Sequence, residues 1–262
     1  MRVHFIKFIC ALFFLLNGVN SMAKIVKLPS SFNAPTGIAF DSKNAMYVTN
    51  WSGDSIAKID VNGNETIFFS GIASPAGIAI DEQDQVYVAS YSGNYILRIT
   101  PQGIGSIVSE GFSTPTGIAF GRTGELLIAN RASGEIVALD VNSGKKQVIV
   151  NGFITPVGVT ELVDRSLVVS QYSGALTLIA PDGRRKELGA SFTRPGVGII
   201  ALSEHQIVVI DNGSGAVREV NTNTGQSTIL ADGLPGAVAL ALYRNHYYIG
   251  TWNNNSVYTL DK

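Results

Sequence analysis

The sequence has few of the side chains from which enzymes build reactive centres. It contains one cysteine, Cys10, and three histidines in 262 residues. A thiolate nucleophile or a cysteine–zinc cluster needs Cys in the folded domain, and Cys10 lies in an apolar N-terminal segment. The chain also lacks the G-x-S-x-G sequence that carries the serine of many hydrolases. Its formal net charge is −1 with no basic cluster, so it does not predict a nucleic-acid partner.

Residues 1–23 have the three-part plan of a secretory signal peptide. Arg2 and Lys7 give a positive start, and residues 8–16 form an apolar run before a small–x–small exit that ends at Ala23. We therefore predict cleavage after Ala23 and a secreted or periplasmic protein. An uncleaved N-terminal anchor stays open, although the run is shorter than the roughly 20 residues that a spanning helix needs. No later stretch is apolar enough to span a membrane.

The main feature of the remaining chain is an internal repeat. It contains 28 glycines in 262 residues, above the usual share of about 7%, which indicates many tight turns. A proline recurs at intervals of 40, 40, 41, 39 and 40 residues. A glycine keeps step with it until the last unit, where asparagine, which tolerates left-handed backbone, takes its place. The six units are marked by Pro35, Pro75, Pro115, Pro156, Pro195 and Pro235, and by Gly53, Gly93, Gly134, Gly174, Gly215 and Asn255.

Each unit divides into four short segments rich in β-branched and aromatic residues. In the second unit they are residues 77–81, 86–90, 95–100 and 106–111, joined by turns that contain Gly, Asn or Asp. No segment has a helical period. Six units of four strands predict an all-β fold, a six-bladed β-propeller. The first two strands of each unit are apolar on both faces and should be buried, whereas the third and fourth should lie outside.

The last unit has only three predicted strands, and the fourth is found at the other end of the chain. Residues 24–32, KIVKLPSSF, precede Pro35 as ETIFFSGI precedes Pro75. The N-terminal strand should therefore complete the sixth blade, which removes exposed strand edges. This assigns residues 1–23 to the signal peptide and residues 24–262 to the propeller.

Residues 35–60, PTGIAFDSKNAMYVTNWSGDSIAKID, resemble NHL-type repeats and a wider group of six-bladed propellers. That group includes the SMP-30/gluconolactonase proteins and the virginiamycin B lyase-like proteins. The resemblance extends over residues 24–262. It implies the fold directly, but the group contains lactonases, lyases, other hydrolases and binding modules, so it leaves the activity open.

The resemblance also implies where a metal would sit. Lactonase-like relatives hold a divalent cation largely with Asn and Asp from the position between Pro and Gly, here called the slot, plus a Glu from the first blade. Hard cations need several converging oxygen ligands, and the slots of this chain offer no carboxylate, amide or imidazole, so we expect no metal and no cofactor. The slot residues are Thr36, Ala76, Thr116 and Val157 in the first four units, and Gly196 or Val197 and Gly236 or Ala237 in the last two.

Other polar residues have simpler interpretations. Lyase-like relatives use His and Glu lining the channel, but His205 and His246 are predicted in exposed turns on the face away from the slots. Asp41 and Asp81 end the first strands of two units, where we expect them to accept hydrogen bonds within turns.

Aromatic residues recur one position after the second strand. This position lies on the same face as the slots, and both tryptophans of the chain occupy it. We predict a contiguous arc in which Trp51 has Trp252 on one side and Tyr91 on the other. Such rings stack on sugars or on peptide side chains, although they could instead pack between blades and serve stability alone. The ring is Trp51, Tyr91, Arg131, Tyr172, Asn212 and Trp252, and the polar residues beside it are Asn50, Ser90, Asn130, Gln171, Asp211 and Thr251.

These observations favour an exported, non-catalytic binding or scaffold module that acts as a monomer. It would recognise a peptide, a glycan or a small molecule at the slot face of the channel. A hydrolase or lyase with a diverged site is the alternative, because the resemblance admits both. Asp211, Asn50 and Asn130 are the best candidates for a catalytic group in that case.

Overall fold

The structure is a computed structural model that describes residues 24–189 and 192–262. The predicted signal peptide falls on residues 1–23, outside the described residues. The described chain forms 24 strands and one short 3-10 helix, Trp51–Gly53. The strands are β1 (Ile25–Lys27), β2 (Pro35–Phe40), β3 (Met46–Asn50), β4 (Ser55–Ile59), β5 (Glu65–Ser70), β6 (Pro75–Ile80), β7 (Val86–Ser90), β8 (Tyr95–Ile99), β9 (Gly105–Glu110), β10 (Pro115–Phe120), β11 (Leu126–Asn130), β12 (Glu135–Leu139), β13 (Lys146–Val150), β14 (Pro156–Glu161), β15 (Leu167–Gln171), β16 (Leu176–Ile179), β17 (Arg185–Glu187), β18 (Pro195–Ala201), β19 (Gln206–Asp211), β20 (Ala216–Asn221), β21 (Ser227–Ala231), β22 (Ala237–Tyr243), β23 (His246–Thr251) and β24 (Ser256–Asp261).

The strands form six antiparallel sheets of four, each corresponding to one predicted unit. Blades one to five are β2–β5, β6–β9, β10–β13, β14–β17 and β18–β21, and blade six combines β22–β24 with β1. The first strand of each blade contacts the first strand of the next, and β22 contacts β2, so the blades close into a ring around a channel. The predicted six-bladed β-propeller is confirmed.

The N-terminal strand completes the last blade, as the missing strand predicted. In the β1–β24 pair, Ile25 lies opposite Leu260 and Lys27 lies opposite Tyr258. The N–H of Leu28 continues the pairing by donating to the carbonyl of Val257, at 2.9 Å. The two ends of the described chain are thereby joined through one sheet.

The apolar core lies between neighbouring blades. The second strands β3, β7 and β11 are buried throughout, whereas fourth strands such as β5 and β9 are largely exposed. Between blades two and three, Tyr87 packs in one cluster with Leu126 and Ile128. Burial of apolar surface contributes about 25 cal/mol per Å², so each blade depends on its neighbours for most of its stability.

Each first strand carries a β-bulge at its slot. In blade one the pairing with β3 shifts between Pro35 and Gly37, and the other five blades shift at the corresponding place. A bulge leaves one residue outside the regular ladder and redirects its side chain. The glycine that follows lets neighbouring first strands approach, because a Cβ at Gly117 would lie only 2.4 Å from the carbonyl oxygen of Val157. The close packing around the channel thus explains the glycine that follows the slot in the first four blades.

Turn acceptors occupy the bottom face, which carries the turns between first and second strands. Asp41 Oδ1 accepts from the N–H groups of Lys43 and Ala45 at 3.0 and 2.8 Å, and its Oδ2 accepts from the Tyr47 hydroxyl at 3.1 Å. Asp81 is used in the same way in blade two. The prediction that these carboxylates close turns is confirmed.

Both predicted turn histidines are exposed on the bottom face. His205 lies in the turn that follows β18, and His246 begins β23. Neither histidine reaches the slots. Within residues 24–189 and 192–262, no helix has the length and apolar character to cross a membrane.

Candidate ligand-binding site

The six slot residues form a buried ring at the top of the channel. The fifth slot residue is Val197, one of the two residues expected. The sixth is Val238 rather than Gly236 or Ala237, because Ala237 takes the pairing position that the slot proline takes in the other blades, and the bulge in β22 lies between Ala237 and Ala239. The slot residues and their exposures are Thr36 (0%), Ala76 (0%), Thr116 (4%), Val157 (0%), Val197 (9%) and Val238 (0%).

The predicted aromatic arc is present on this face, here called the top face. The ring of Trp51 lies 4.7 Å from that of Tyr91 and 6.4 Å from that of Trp252, centroid to centroid. Arg131 continues the series, because its Nη1 donates to the Tyr91 hydroxyl at 2.7 Å and its guanidinium carbon lies 5.9 Å from the Tyr172 ring centroid. We call Trp252, Trp51, Tyr91 and Tyr172 the aromatic arc.

The arc lies directly on the slot ring. Trp252 Nε1 donates to the Thr36 hydroxyl at 3.1 Å. Farther round, Tyr172 and Trp252 both pack against the three slot valines of blades four to six. The four arc residues themselves remain half-buried. Their rings therefore combine one surface that supports the channel with another that faces the surroundings.

Two arginines flank Tyr172. The guanidinium carbons of Arg131 and Arg194 lie 5.9 and 5.4 Å from its ring centroid, within cation–π range. Burial raises the pKa of Tyr172 to about 12, while the two guanidinium groups act in the opposite direction. Arg194 was not among the residues expected from the sequence. The sequence feature that could have identified Arg194 is its position directly before the slot proline, where the other units have Ala, Ser, Thr, Thr and Leu.

The polar residues beside the arc have a structural role. Asn50 and Asn130 each accept, through Oδ1, from a backbone N–H 17 residues earlier, at 3.0 and 2.6 Å. Gln171 does the same with Ile154 at 2.8 Å. Ser90 also bonds the loop 17 residues earlier, but as a donor. We call these side chains loop latches, since each ties the end of a second strand to the loop that enters its blade.

Asp211 is the loop latch of blade five and the only charged member of the set. Its carboxylate accepts from the N–H groups of Thr193 and Arg194 at 3.2 and 2.9 Å and from the Ser214 hydroxyl at 2.7 Å. Arg218 Nε lies 3.5 Å from it, and the Asp211 side chain is fully buried. Asn50, Asn130 and Asp211, which the sequence predicts at a ligand, thus have hydrogen-bonding groups that are taken up by the loops, and their role at a ligand stays a prediction.

Backbone strain accompanies the arc. In blades one to four the residue before the slot proline has a positive φ of 51 to 53°, a conformation that costs free energy for residues other than glycine. Its carbonyl accepts the N–H of the residue that follows the second strand, which is an arc residue or Arg131. The strained residues are Ala34, Ser74, Thr114 and Thr155, and they bind Trp51, Tyr91, Arg131 and Tyr172 in that order.

Asn212 interrupts the arc in blade five. Its Nδ2 donates to the carbonyl of Ala237 at 2.6 Å, and its buried Oδ1 has no hydrogen-bond partner among the described residues. With no ring at this position, a cavity of about 590 Å³ opens beside it, lined among others by Arg194, Asn212 and Trp252. The structure thus brings Asn212 to the same site as the arc, but in a recess rather than in the row of rings.

The residues at the slots do not fit the metal site of lactonase-like propellers. The slot ring offers two hydroxyls, from Thr36 and Thr116, and otherwise aliphatic groups, whereas calcium needs six to eight oxygens. In the parts of the chain that the structure describes, no three His, Cys, Asp or Glu side chains come together to hold an ion. Below the slots, the channel contains a cavity of about 380 Å³ lined largely by Gly, Ala, Val, Ile and Leu of the first strands.

Comparisons with known proteins agree with this architecture. The profile of the SMP-30/gluconolactonase/LRE-like region matches residues 16–132, less than half of the chain. No curated protein matches significantly. A gluconolactonase from Xanthomonas campestris is 15% identical with a TM-score of 0.80, and 91% of this chain and 89% of that chain are covered.

Virginiamycin B lyases have a similar structure. The enzyme from Staphylococcus aureus is 16% identical with a TM-score of 0.71, covering 92% of this chain and 99% of that one. A catalytically inactive form of it, solved with quinupristin, is 18% identical with a TM-score of 0.69 and the same coverage. The resemblance inferred from the repeats is confirmed, and at these identities the solved structures show the fold alone.

Proposed function

From this resemblance to the SMP-30/gluconolactonase and virginiamycin B lyase propellers, and from the geometry of the top face, we propose that the protein is a binding module. Its ligand, a peptide, a glycan or a small molecule, lies on the aromatic arc. The single observation that carries the proposal is the continuous contact from Trp252 through Trp51 and Tyr91 to Arg131 and Tyr172.

The composition of this surface supports binding. Trp, Tyr and Arg are the residues that dominate binding hot spots, because they supply large, rigid contact areas at low entropic cost. The rings are half-buried, so a ligand meets them already held in place. The strained carbonyls that bind the backbone of Trp51, Tyr91, Arg131 and Tyr172 add to this preorganisation.

A hydrolase or lyase remains the alternative function, since gluconolactonases and virginiamycin B lyases have this fold. It is less well supported, because the slots carry aliphatic and hydroxyl side chains and Asp211, Asn50 and Asn130 serve as loop latches. Gluconolactone and quinupristin are the substrates to assay. Turnover of either that ceases when a chelator removes the metal would favour the enzyme.

The proposal is tested by combining binding with stability. The two tryptophans of the chain are both in the arc, so tryptophan fluorescence reports this site alone during a glycan and peptide screen. Trp51→Ala and Trp252→Ala should each weaken binding by about 2 kcal/mol, near thirtyfold. Tyr243→Ala, at a half-buried ring that stacks on Phe40 at the end of β22 away from the slots, is the matched control and should leave binding unchanged.

Stability measurements on the same variants separate binding from a purely structural role. If the rings serve only to support the channel, each tryptophan substitution should cost about 3–5 kcal/mol of unfolding free energy with no ligand found. That result would contradict the proposal.

The proposed setting is outside the cytoplasm, and the proposed form is a monomer. Both rest on the sequence, in which residues 1–23 have the plan of a signal peptide. N-terminal sequencing of the exported protein should begin at Lys24, and its mass in solution should equal that of one chain. A protein that retained Met1 in the membrane fraction would point to the anchor instead.

A further inference from the structure

Blade five departs from the other blades at three neighbouring positions on the top face. Arg194 takes the place before the slot proline, Asp211 is a charged loop latch, and Asn212 replaces the residue of the arc. Two of these are linked, since Asp211 accepts the backbone N–H of Arg194 at 2.9 Å. The buried carboxylate therefore positions the loop that carries Arg194 through its backbone, and the Arg194 guanidinium forms no ion pair with a carboxylate of the described residues.

Two arginine side chains, Arg131 and Arg194, lie on this part of the top face. Neither Arg194 nor Arg131 forms an ion pair with a carboxylate within the described chain, although both lie near the ring of Tyr172. Asp211 is turned to its own loop and to Arg218. In a protein with a formal net charge of −1, two unpaired guanidinium groups at one site favour an anionic ligand.

The recess beside Arg194 also offers an acceptor and an apolar wall. Asn253 lines it with an exposed side-chain amide that can accept a hydrogen bond. Asn212 also lines it, but its Oδ1, which has no partner among the described residues, is buried. Trp252 forms another part of the wall and packs on the slot valines. A ligand that brought one N–H donor and one apolar side chain would complement both.

We infer that this recess binds the carboxy terminus of a peptide whose last residue is apolar, an assignment that rests on the proposed binding function. The terminal carboxylate accepts the paired N–H donors of Arg194, whose planar fork matches its two oxygens. The amide N–H of the last residue faces Asn253, whose exposed side-chain amide lines the same recess, and its side chain lies against Trp252. Arg131, in blade three, adds positive potential without contacting the carboxylate.

An acidic glycan fits the recess less well. A sugar acid presents a carboxylate together with several hydroxyl groups, and each would need a partner. Besides Arg194, the polar side chains that line the recess are Asn212 and Ser214, which already donate within the protein, and Asn253. One anion, one N–H and one apolar group are what a peptide terminus supplies, so the peptide is the ligand we assign.

The test uses two matched pairs of probes and tryptophan fluorescence. Binding of N-acetyl-L-phenylalanine is compared with binding of its carboxamide, and binding of glucuronate with binding of glucose, using the purified protein. We expect N-acetyl-phenylalanine to bind at least about tenfold more tightly than the carboxamide, because charge-assisted hydrogen bonds are roughly twice as strong as neutral ones. Arg194→Gln should remove this preference. Arg184→Gln is the control of equal charge, since Arg184 pairs with Asp182 on an exposed turn.

The outcomes are distinct. Equal affinity for N-acetyl-phenylalanine and its carboxamide would overturn the inference while the binding function stands. A preference for glucuronate over glucose that depends on Arg194, with no binding of N-acetyl-phenylalanine, would overturn the peptide assignment in favour of a sugar acid. Loss of the preference in Arg184→Gln as well as in Arg194→Gln would trace it to net charge and also contradict the inference. If none of the four probes changes the fluorescence, the inference is wrong, and the glycan and peptide screen decides the binding function separately.

Discussion

The two faces of the propeller both carry buried acidic residues, but they differ in whether a charged side chain nearby lacks an ion-pair partner. On the bottom face Asp41 closes a turn, and Tyr47 and Lys58 complete its surroundings. On the top face Asp211 closes a loop in a similar way, yet the loop presents Arg194 without an ion-pair partner among the described residues. A satisfied polar cluster indicates a structural role, and a charged group held in place without a partner indicates a binding role.

The same contrast holds within the top face. In blades one, two and four the loop latch and the arc residue after it are adjacent in sequence, but the loop latch is buried with its polar groups bonded and the arc residue is half-buried. Asn50 and Trp51 are an example. Replacing a loop latch should therefore change stability, whereas replacing an arc residue should chiefly change binding.

The largest expected effect comes from breaking the charged loop latch. Asp211→Ala leaves the buried Nε of the half-buried Arg218 beside an empty position and releases the loop that carries Arg194. We expect a loss of about 3–5 kcal/mol of unfolding free energy, as for other broken buried pairs, measured by denaturant titration. Asp182→Ala, at an exposed pair with Arg184, should cost less than about 1 kcal/mol. Equal losses in both variants would contradict the assigned role of Asp211.

The corresponding change on the bottom face should affect stability without affecting binding. Asp41→Ala removes the acceptor of two turn N–H groups and of the Tyr47 hydroxyl. Leaving such buried groups unpaired costs about 1–3 kcal/mol, so we expect a loss of about 2 kcal/mol with ligand affinity unchanged once the protein is folded. A large loss of affinity would show that the two faces are not independent.

Alkaline pH should weaken the top face through Tyr172. Burial raises its pKa to about 12, against about 10 in an unfolded chain. The folded state therefore favours the neutral phenol, and this contribution is complete below pH 10 and is lost as the pH rises through 12. At pH 11 the wild type should have lost about 1 kcal/mol more stability than Tyr172→Phe. Identical losses from pH 9 to pH 12 in the two proteins would contradict this.

The smallest expected effect is that of removing metal ions. The slot ring lacks the carboxylate and amide oxygens of lactonase-like relatives, so a chelator should leave the melting temperature of the purified protein unchanged, since no binding free energy is lost. An ion found at one equivalent in the purified protein, or a fall in melting temperature on dialysis, would favour the enzyme.

Much of the fold could be predicted from the sequence, because each blade repeats its own turn and strand signals. The closing strand was predictable from the missing segment after β24, and the order of the arc followed from the order of the blades. The residue with left-handed backbone in the turns of blades one and two could not be predicted. It is Asp54 in blade one and Asn94 in blade two, with φ of 46 and 58°, rather than Gly53 and Gly93. Asp and Asn also adopt this conformation, so the turn tolerated a shift of one position.

The site was less predictable, because its polar side chains bond loops that are distant in the sequence, and the repeat pattern does not identify these pairs. Asn50 and Asn130 looked available for a ligand, but each bonds a loop 17 residues away. Polar residues recur at the end of the buried second strands, and this recurrence indicated a structural role. Arg194 was missed for the opposite reason, since it breaks a repeat position instead of following it.

The proposed binding role depends most directly on whether the aromatic arc is open to ligands in the free protein. Trp51 and Trp252 are the only tryptophans, so acrylamide quenching of tryptophan fluorescence measures the accessibility of the arc without a known ligand. Free tryptophan and the denatured protein supply the upper limit. We predict clear but partial quenching in the native protein, because both rings are half-buried. Complete protection of both tryptophans from acrylamide would show that the rings serve the interior alone and would contradict the account.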